Sequence, residues 1–251
     1  MDMEIIDTHT HIGSYGWSGH PGNFDTVEDA IGELRNCGVA HAVTVPWRAV
    51  LCNSEQDLDA GNEEALALRN RFPDFIYPGL SVDYRWPRRS LFWLETFKRE
   101  GLHWAGELVP KQGDNENPFT HPDWQEIFDA LEENGMVLQL HNTTGTAKVA
   151  KAHPRLQIIG SHLAQNILPE LVPLPNVMVD ISGFIGGVGL HSLDKARASF
   201  GAARLLFGTD YDGYDPNPFI IRTRRAFTEE EQRLVFHDNA VTLLGANAFG
   251  K

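Results

Sequence analysis

The sequence predicts an α/β fold: a slightly distorted (β/α)8 TIM barrel with extra helices at its C-terminus. Three observations carry this. Eight strand-like runs alternate with helical runs, at spacings of roughly 20–35 residues, the size of one strand–helix unit. Several runs are nearly continuous apolar stretches, as parallel strands covered on both faces require. Eight such units in 251 residues match the length of a closed barrel. The rival, an open doubly wound sheet, usually carries a glycine-rich phosphate turn after its first strand. No G-x-G-x-x-G follows the first run here.

The first run is Glu4-Ile5-Ile6-Asp7-Thr8-His9-Thr10-His11. A glycine-rich loop from Gly13 to Asn23 follows, with Tyr15, Trp17 and His20. A helix starts near Asp25 or Thr26, aligns Val27, Ala30, Ile31 and Leu34 on one face, and stops at Gly38. The second strand is Ala40 to Val45, halted by Pro46, and Trp47 and Arg48 lie in the loop behind it. A helix covers Glu55 to Arg71, then a third strand Phe75 to Ser81, then a helix Arg89 to Glu100 closed by Gly101. The fourth strand is His103 to Val109, and a polar loop, Lys111 to Pro118, leads to a helix over Pro122 to Asn134 with Gly135 as its C-cap. The fifth strand is Met136 to Asn142, followed by a short helix, Thr146 to Ala152. Leu156 to His162 is the sixth strand and Val177 to Ser182 the seventh. A helix over Ser192 to Phe200 precedes the eighth strand, Leu205 to Asp210. A loop from Tyr211 to Pro218 and two helices, Thr228 to His237 and Asn239 to Phe249, end the chain.

Composition narrows the function. The net charge is −13, from 34 acidic and 21 basic residues, with no basic run. Such a chain is a poor polyanion binder, so neither nucleic acid nor an anionic membrane is an expected partner. A small-molecule substrate is compatible with any exterior charge. The two cysteines, Cys37 and Cys52, imply no disulfide framework. There is no basic-then-apolar opening and no run of eighteen apolar residues, so a cytoplasmic protein is expected. No composition shift, repeat or low-complexity segment divides residues 1–251, which read as one barrel domain. Barrels of this kind often pair, which makes a homodimer an open expectation.

The polar residues fall at strand ends. Strand one ends in His9 and His11, which share a face because strand side chains alternate. Strand four carries Glu107, strand five ends in His141, strand six in His162 and strand eight in Asp210. Each alone reads as a satisfied histidine, a turn cap or a rim ion pair. In a parallel barrel, however, all strand C-termini meet at one face, where active sites are built. Their convergence predicts a divalent metal site. Imidazole and carboxylate donors suit zinc, and also manganese, iron or nickel. No thiolate is in the set, which argues for a catalytic rather than a structural ion.

Ile6-Asp7-Thr8-His9-Thr10-His11, Leu140-His141-Asn142, Ile158-Ile159-Gly160-Ser161-His162 and Phe207-Gly208-Thr209-Asp210-Tyr211 together resemble the amidohydrolase superfamily. The nearest resemblance is to its amidohydrolase-related branch of metal-dependent hydrolases, which includes the aminocarboxymuconate-semialdehyde decarboxylase-like enzymes. The closing run Asp238 to Gly245 is similar to that family's C-terminal helix, so the resemblance spans the chain. It implies that His9 and His11 bind a divalent ion, with Asp210 as a further ligand or the base beside it. It implies that His141 ligates the same ion or a second one. His162 either ligates a second ion or positions water and substrate. Glu107 departs from the decarboxylase-like pattern, where the fourth strand need not supply a carboxylate; in two-metal members a glutamate there can bridge the pair. One or two ions are therefore expected, zinc first and manganese second.

The expected chemistry is attack of metal-activated water on an amide, lactone or ester-like carbonyl, with Asp210 moving the proton and His162 polarising the carbonyl. The alternative is non-oxidative decarboxylation of an aromatic or unsaturated acid. A non-catalytic metal-binding barrel is the reading from another class. Asp7, on the face of His9 and His11, either orients a ligand imidazole or serves as a buried strand-end acceptor. Substrate contacts are expected from the loops: Arg48 or Arg85 for a carboxylate, with Tyr84, Asn142 and Tyr211.

Overall fold

The computed structural model describes residues 3–19, 23–111, 118–164, 166–183 and 189–249. His20 and positions 112–117 of the polar loop lie outside them. The strands are β1 (Ile5–Thr10), β2 (Val39–Thr44), β3 (Ile76–Pro78), β4 (Trp104–Leu108), β5 (Val137–His141), β6 (Gln157–Ser161), β7 (Val177–Asp180) and β8 (Leu205–Leu206). Pairing is parallel throughout, in one sheet β1-β2-β3 and a second β4-β5-β6-β7-β8. Backbone hydrogen bonds cross both seams. Leu80 N–H donates to Trp104 O (2.8 Å) and Gly106 N–H to Leu80 O (2.8 Å) between β3 and β4. Thr8 N–H donates to Phe207 O (2.9 Å) and Asp210 N–H to His9 O (2.9 Å) between β8 and β1. The arrangement is the predicted TIM-barrel architecture, drawn slightly open at these seams by short strands. Among the described residues no helix is long and apolar enough to cross a membrane.

All six β1 residues are buried, and the polar ones are satisfied by neighbouring strands, as burial demands. The hydroxyl of Thr8 donates to Phe207 O (2.8 Å) and that of Thr10 to Val43 O (2.9 Å). Asp7 accepts from the hydroxyl (2.6 Å) and backbone N–H (3.1 Å) of Thr209 and from His9 N–H (3.1 Å). Asp7 thus ties β1 to the chain after β8 and takes no ligand imidazole, which settles its role as a strand-end acceptor. Burial pushes its carboxyl up to about 7 against the pull of those hydrogen bonds.

The helices Glu55–Arg71, Thr146–Ala152 and Ser192–Phe200 keep their predicted bounds. Other segments differ. The expected loop Tyr211 to Pro218 gives way to a helix, Pro216–Ala226, capped by Asp215, whose carboxylate accepts from Asn217 N–H (2.9 Å). Asp-Pro at N-cap and N1 was a legible start signal. The last two predicted helices are one interrupted path: Glu229–Arg233, a wide turn Leu234–Asp238, then Asn239–Leu244. The wide turn lets Val235 O accept from Phe207 N–H (2.9 Å), while the Asn239 amide donates to Ala202 O (2.8 Å) and Leu205 O (2.7 Å), locking the path beneath β8. The last helix stops at Gly245, whose φ of 86° closes it before Phe249. β3 and β8 are shorter than predicted, and beyond them Leu80 bonds across one seam and Phe207 and Asp210 across the other.

The β4 register slips between Ala105 and Leu108. Gly106 occupies the slip with φ 100°, and a Cβ there would collide with Gln139 O. Only glycine fits. Such irregularities redirect a side chain, and here the redirected residue is Glu107.

Candidate metal centre

Four imidazoles converge on one carboxylate. The two oxygens of Glu107 face different pairs. Oε2 lies 3.4 Å from His9 Nε2 and 3.7 Å from His11 Nε2. Oε1 lies 2.9 Å from His141 Nδ1 and 3.2 Å from His162 Nε2. Asp210 Oδ1 joins the first pair, 3.2 Å from His11 Nε2 and 3.6 Å from His9 Nε2, and the two Nε2 atoms are 3.2 Å apart. Donors placed tetrahedrally at metal–ligand distances stand about 3.4 Å from one another. His9 Nε2, His11 Nε2 and Asp210 Oδ1 form a first trio of that spacing, and Glu107 Oε2 faces its two imidazoles. Glu107 Oε1, His141 and His162 form a second trio of compatible spacing. The donor set is all nitrogen and oxygen, as a divalent ion of this chemistry takes.

A third trio, His9, His162 and Asp180, is also close enough to hold an ion. Its centre is filled: the Ser182 hydroxyl lies 2.9 Å from His9 Nδ1 and 3.0 Å from His162 Nδ1 and bonds to Asp180. Asp180 and Ser182 are the site residues that the strand-end pattern missed. Both lie in the predicted seventh strand, but no metal-ligand type stands at its very end to mark it.

The strands explain the placement. His9 and His11 share a β1 face, and the His11 ring is fixed by Nδ1–H to Val45 O (3.0 Å). His162 and Asp210 each have φ 66°, the left-handed region that non-glycine residues enter at a cost. Burial differs across the cluster. His9 and His11 side chains are 1% exposed and Glu107 4%, while His162 is 14%, Asp210 16% and His141 42% exposed. The opening to solvent therefore lies on the side of Asp210, His162 and His141. Trp47 seals the His11 side, with ring centroids 4.4 Å apart, and its indole N–H donates to Asp212 (2.7 Å).

Electrostatics favour a cation at the centre. Burial opposes a charge on Glu107, but the His9 charge and the bonds from His141 and His162 hold its carboxyl well below the usual range. Burial likewise works against ionised Asp210 and is outweighed by its bond to His11 and the His9 charge. Burial disfavours charge on His9, yet Glu107 and Asp180 outweigh it and raise His9 well above the ordinary value. His162 is raised against burial by Glu107. Protons thus hold the place of a cation, and an ion entering must displace them. Metal affinity is therefore expected to rise as pH increases, by about tenfold per pH unit for each proton released. Chelator-competition titrations at several pH values, with released protons counted in weak buffer, check this; a pH-independent affinity contradicts it.

The predicted substrate contacts divide. Asn142 stays beside the cluster, its amide donating to His162 O (3.3 Å). The others are engaged elsewhere. Arg48 bonds Asp57 (2.9 Å), and the Arg85 fork closes on Asp83 (2.7 and 3.0 Å). Tyr84 packs on His121 and Trp124, with centroids 4.6 and 5.2 Å away. The Tyr211 hydroxyl donates to Ala30 O (2.9 Å). A lone sequence cannot show that an arginine has a local carboxylate to satisfy it.

A parallel α/β barrel with this donor set at its strand ends defines a class of metal-dependent enzymes. The chain belongs to the amidohydrolase family, whose sequence profile matches residues 6–246. No curated protein matches it. Several solved structures share its fold. The 5-carboxyvanillate decarboxylase of Sphingomonas paucimobilis superposes with a TM-score of 0.75 at 14% identity, covering 96% of this chain and 99% of its own. A dihydroxybenzoic acid decarboxylase of Polaromonas sp. JS666, with bound manganese and 2-nitroresorcinol, gives 0.77 at 13% identity, covering 98% of each chain. A protein of Pseudomonas putida assigned as a 2-pyrone-4,6-dicarboxylic acid hydrolase gives 0.72 at 20% identity, again covering 98% of each.

Proposed function

We propose that this chain is a hydrolase that opens an amide, lactone or ester-like carbonyl with water at a two-ion centre. The observation that carries the reading is Glu107, whose two oxygens face two separate groups of imidazoles. His9, His11 and Asp210 would hold one ion and His141 and His162 the other, with a Glu107 oxygen facing each group. Zinc suits these donors best, and manganese fits them too. Such ions acidify a bound water and polarise the carbonyl oxygen.

The residues of the chain do the rest. Asp210 is ionised and stands at the open side, so its carboxylate takes the proton of the attacking water and returns it to the leaving group. His162, on the same side, gives its Nε2 to the second ion rather than to the substrate. Trp47 and Asp212 close the His11 wall and keep bulk water from the buried ligands.

The second reading is decarboxylation of an aromatic acid, favoured by the fold shared with the Sphingomonas and Polaromonas decarboxylases. One assay separates the two. Protein reconstituted with zinc or manganese is given lactones, amides and esters in a pH-stat, and aromatic acids under a carbon dioxide sensor. Acid release from the first panel is expected. Carbon dioxide from the second, with no acid release from the first, overturns hydrolysis. Inertness in both, with ions bound, leaves the non-catalytic barrel.

A further inference from the structure

We infer that Asp180, acting through Ser182, is a positioning residue that sets the tautomers of His9 and His162 together, and so fixes which nitrogen each ring offers to an ion. The inference rests on the proposed metal centre and concerns how two of its ligands are held.

Counting donors and acceptors gives the assignment. The Trp104 indole N–H can only donate, and it donates to Gln139 Oε1 (3.1 Å). The Gln139 amide therefore turns its NH2 to Asp180 Oδ2 (2.9 Å). Asp180 Oδ1 accepts the backbone N–H groups of His162 (3.1 Å) and Ser182 (3.0 Å), and the Ser182 hydroxyl as well. Oδ2 also faces His9 Nδ1 (3.1 Å). Five donors thus meet two oxygens in a fully buried residue. An ionised carboxylate accepts them all; an amide of the same shape does not. Ser182 has one proton, and Asp180 takes it. Towards His9 Nδ1 (2.9 Å) and His162 Nδ1 (3.0 Å) the hydroxyl oxygen can only accept. Both rings must then carry hydrogen on Nδ1. The two Nε2 atoms, which face Glu107 at 3.4 and 3.2 Å, are left as the donors to an ion.

The arrangement is asymmetric. His9 is held by Asp180 directly and by Ser182. The His162 ring is held by Ser182, against Gly183, whose φ of 69° and missing Cβ make room for it. One buried carboxylate therefore serves a ligand in each half of the centre. Loss of a partner of this kind typically costs 10–100-fold in metal affinity.

The test compares the full-length wild type, Ser182→Ala and Asp180→Asn. Each is stripped by chelation and titrated with zinc or cobalt against a competing chelator; the cobalt visible spectrum and the melting temperature of the apo form are recorded. Ser182→Ala is expected to weaken the second ion by about tenfold or more and the first much less. Asp180→Asn is expected to weaken both by about 10–100-fold and to change the cobalt spectrum. If Asp180→Asn does not fold, Ser182→Ala decides alone. Wild-type affinities and spectra in both variants, with only the apo melting temperature lowered, overturn the inference and leave the metal centre standing. A wild type that binds no ion overturns both.

Discussion

Asp210→Asn is expected to lower turnover by about 10³-fold, within the range that a positioned acid–base group contributes, while the fold and the first ion stay in place. The substitution keeps the shape and an oxygen that can face His11 and His9, 3.2 and 3.6 Å from Asp210 Oδ1 in the native chain. It removes the ability to take a proton. Asp210 suits that task better than Glu107. Its side chain reaches the open side, whereas Glu107 is nearly enclosed and its oxygens are committed to four imidazoles. The bond to His11 and the His9 charge keep Asp210 ionised against burial, so it is ready to accept at neutral pH. The check is turnover measured beside metal content by atomic emission on the same sample. Full activity at full metal content removes Asp210 from the chemistry. Loss of the ion along with activity makes Asp210 chiefly a ligand.

Much of this site was legible because barrel topology converts sequence position into spatial position. Each parallel strand delivers its C-terminal residue to one rim, so reading strand ends in His9, His11, His141, His162 and Asp210 amounted to reading a neighbourhood. Glu107 was legible for the same reason, although its aim depends on a register slip at Gly106 that no periodicity reveals. Asp180 and Ser182 escaped because they act one step behind the rim, through hydrogen bonds between β7 and rings of β1 and β6. Their residue types are common at buried strand ends, and only the count of donors and acceptors sets them apart. The loop residues were least legible. Arg48 and Arg85 carry the right charge for a substrate, but Asp57, nine residues away, accepts from Arg48 Nε and Asp83, two residues away, takes the Arg85 fork. Trp47 shows the converse: an aromatic expected in the loop after the second strand opens a short helix, Trp47–Val50, and proves to be the wall against His11.

Glu107→Gln is expected to have the largest effect on the metal centre: the ion-to-protein ratio falls from two towards one, and the remaining ion binds about 10–100-fold more weakly. Glutamine keeps one carbonyl oxygen, so one group of imidazoles retains an acceptor. The other meets an NH2 that cannot ligate, and the negative charge that joins the two halves is gone. The apo protein should also lose stability, by about 3–5 kcal/mol, the usual cost of leaving a buried charge without its partner. The sign with pH follows from the two shifts. His9 is raised above its ordinary 6.5, so its contribution is complete below that value and fades as pH rises through the raised one. Glu107 is lowered beneath its ordinary 4.5, so its contribution is complete above that value and is lost in acid. The destabilisation should therefore be greatest between about pH 4.5 and 6.5 and shrink at higher pH, where a neutral His9 no longer needs the carboxylate. Apo melting curves at pH 5.5 and 9, beside metal analysis of the loaded protein, test both halves. A native ratio of one that the substitution leaves unchanged, with an unchanged rate, would mean that one ion suffices. It would also remove the main ground for preferring hydrolysis, because Glu107 would then be only an acceptor for four rings.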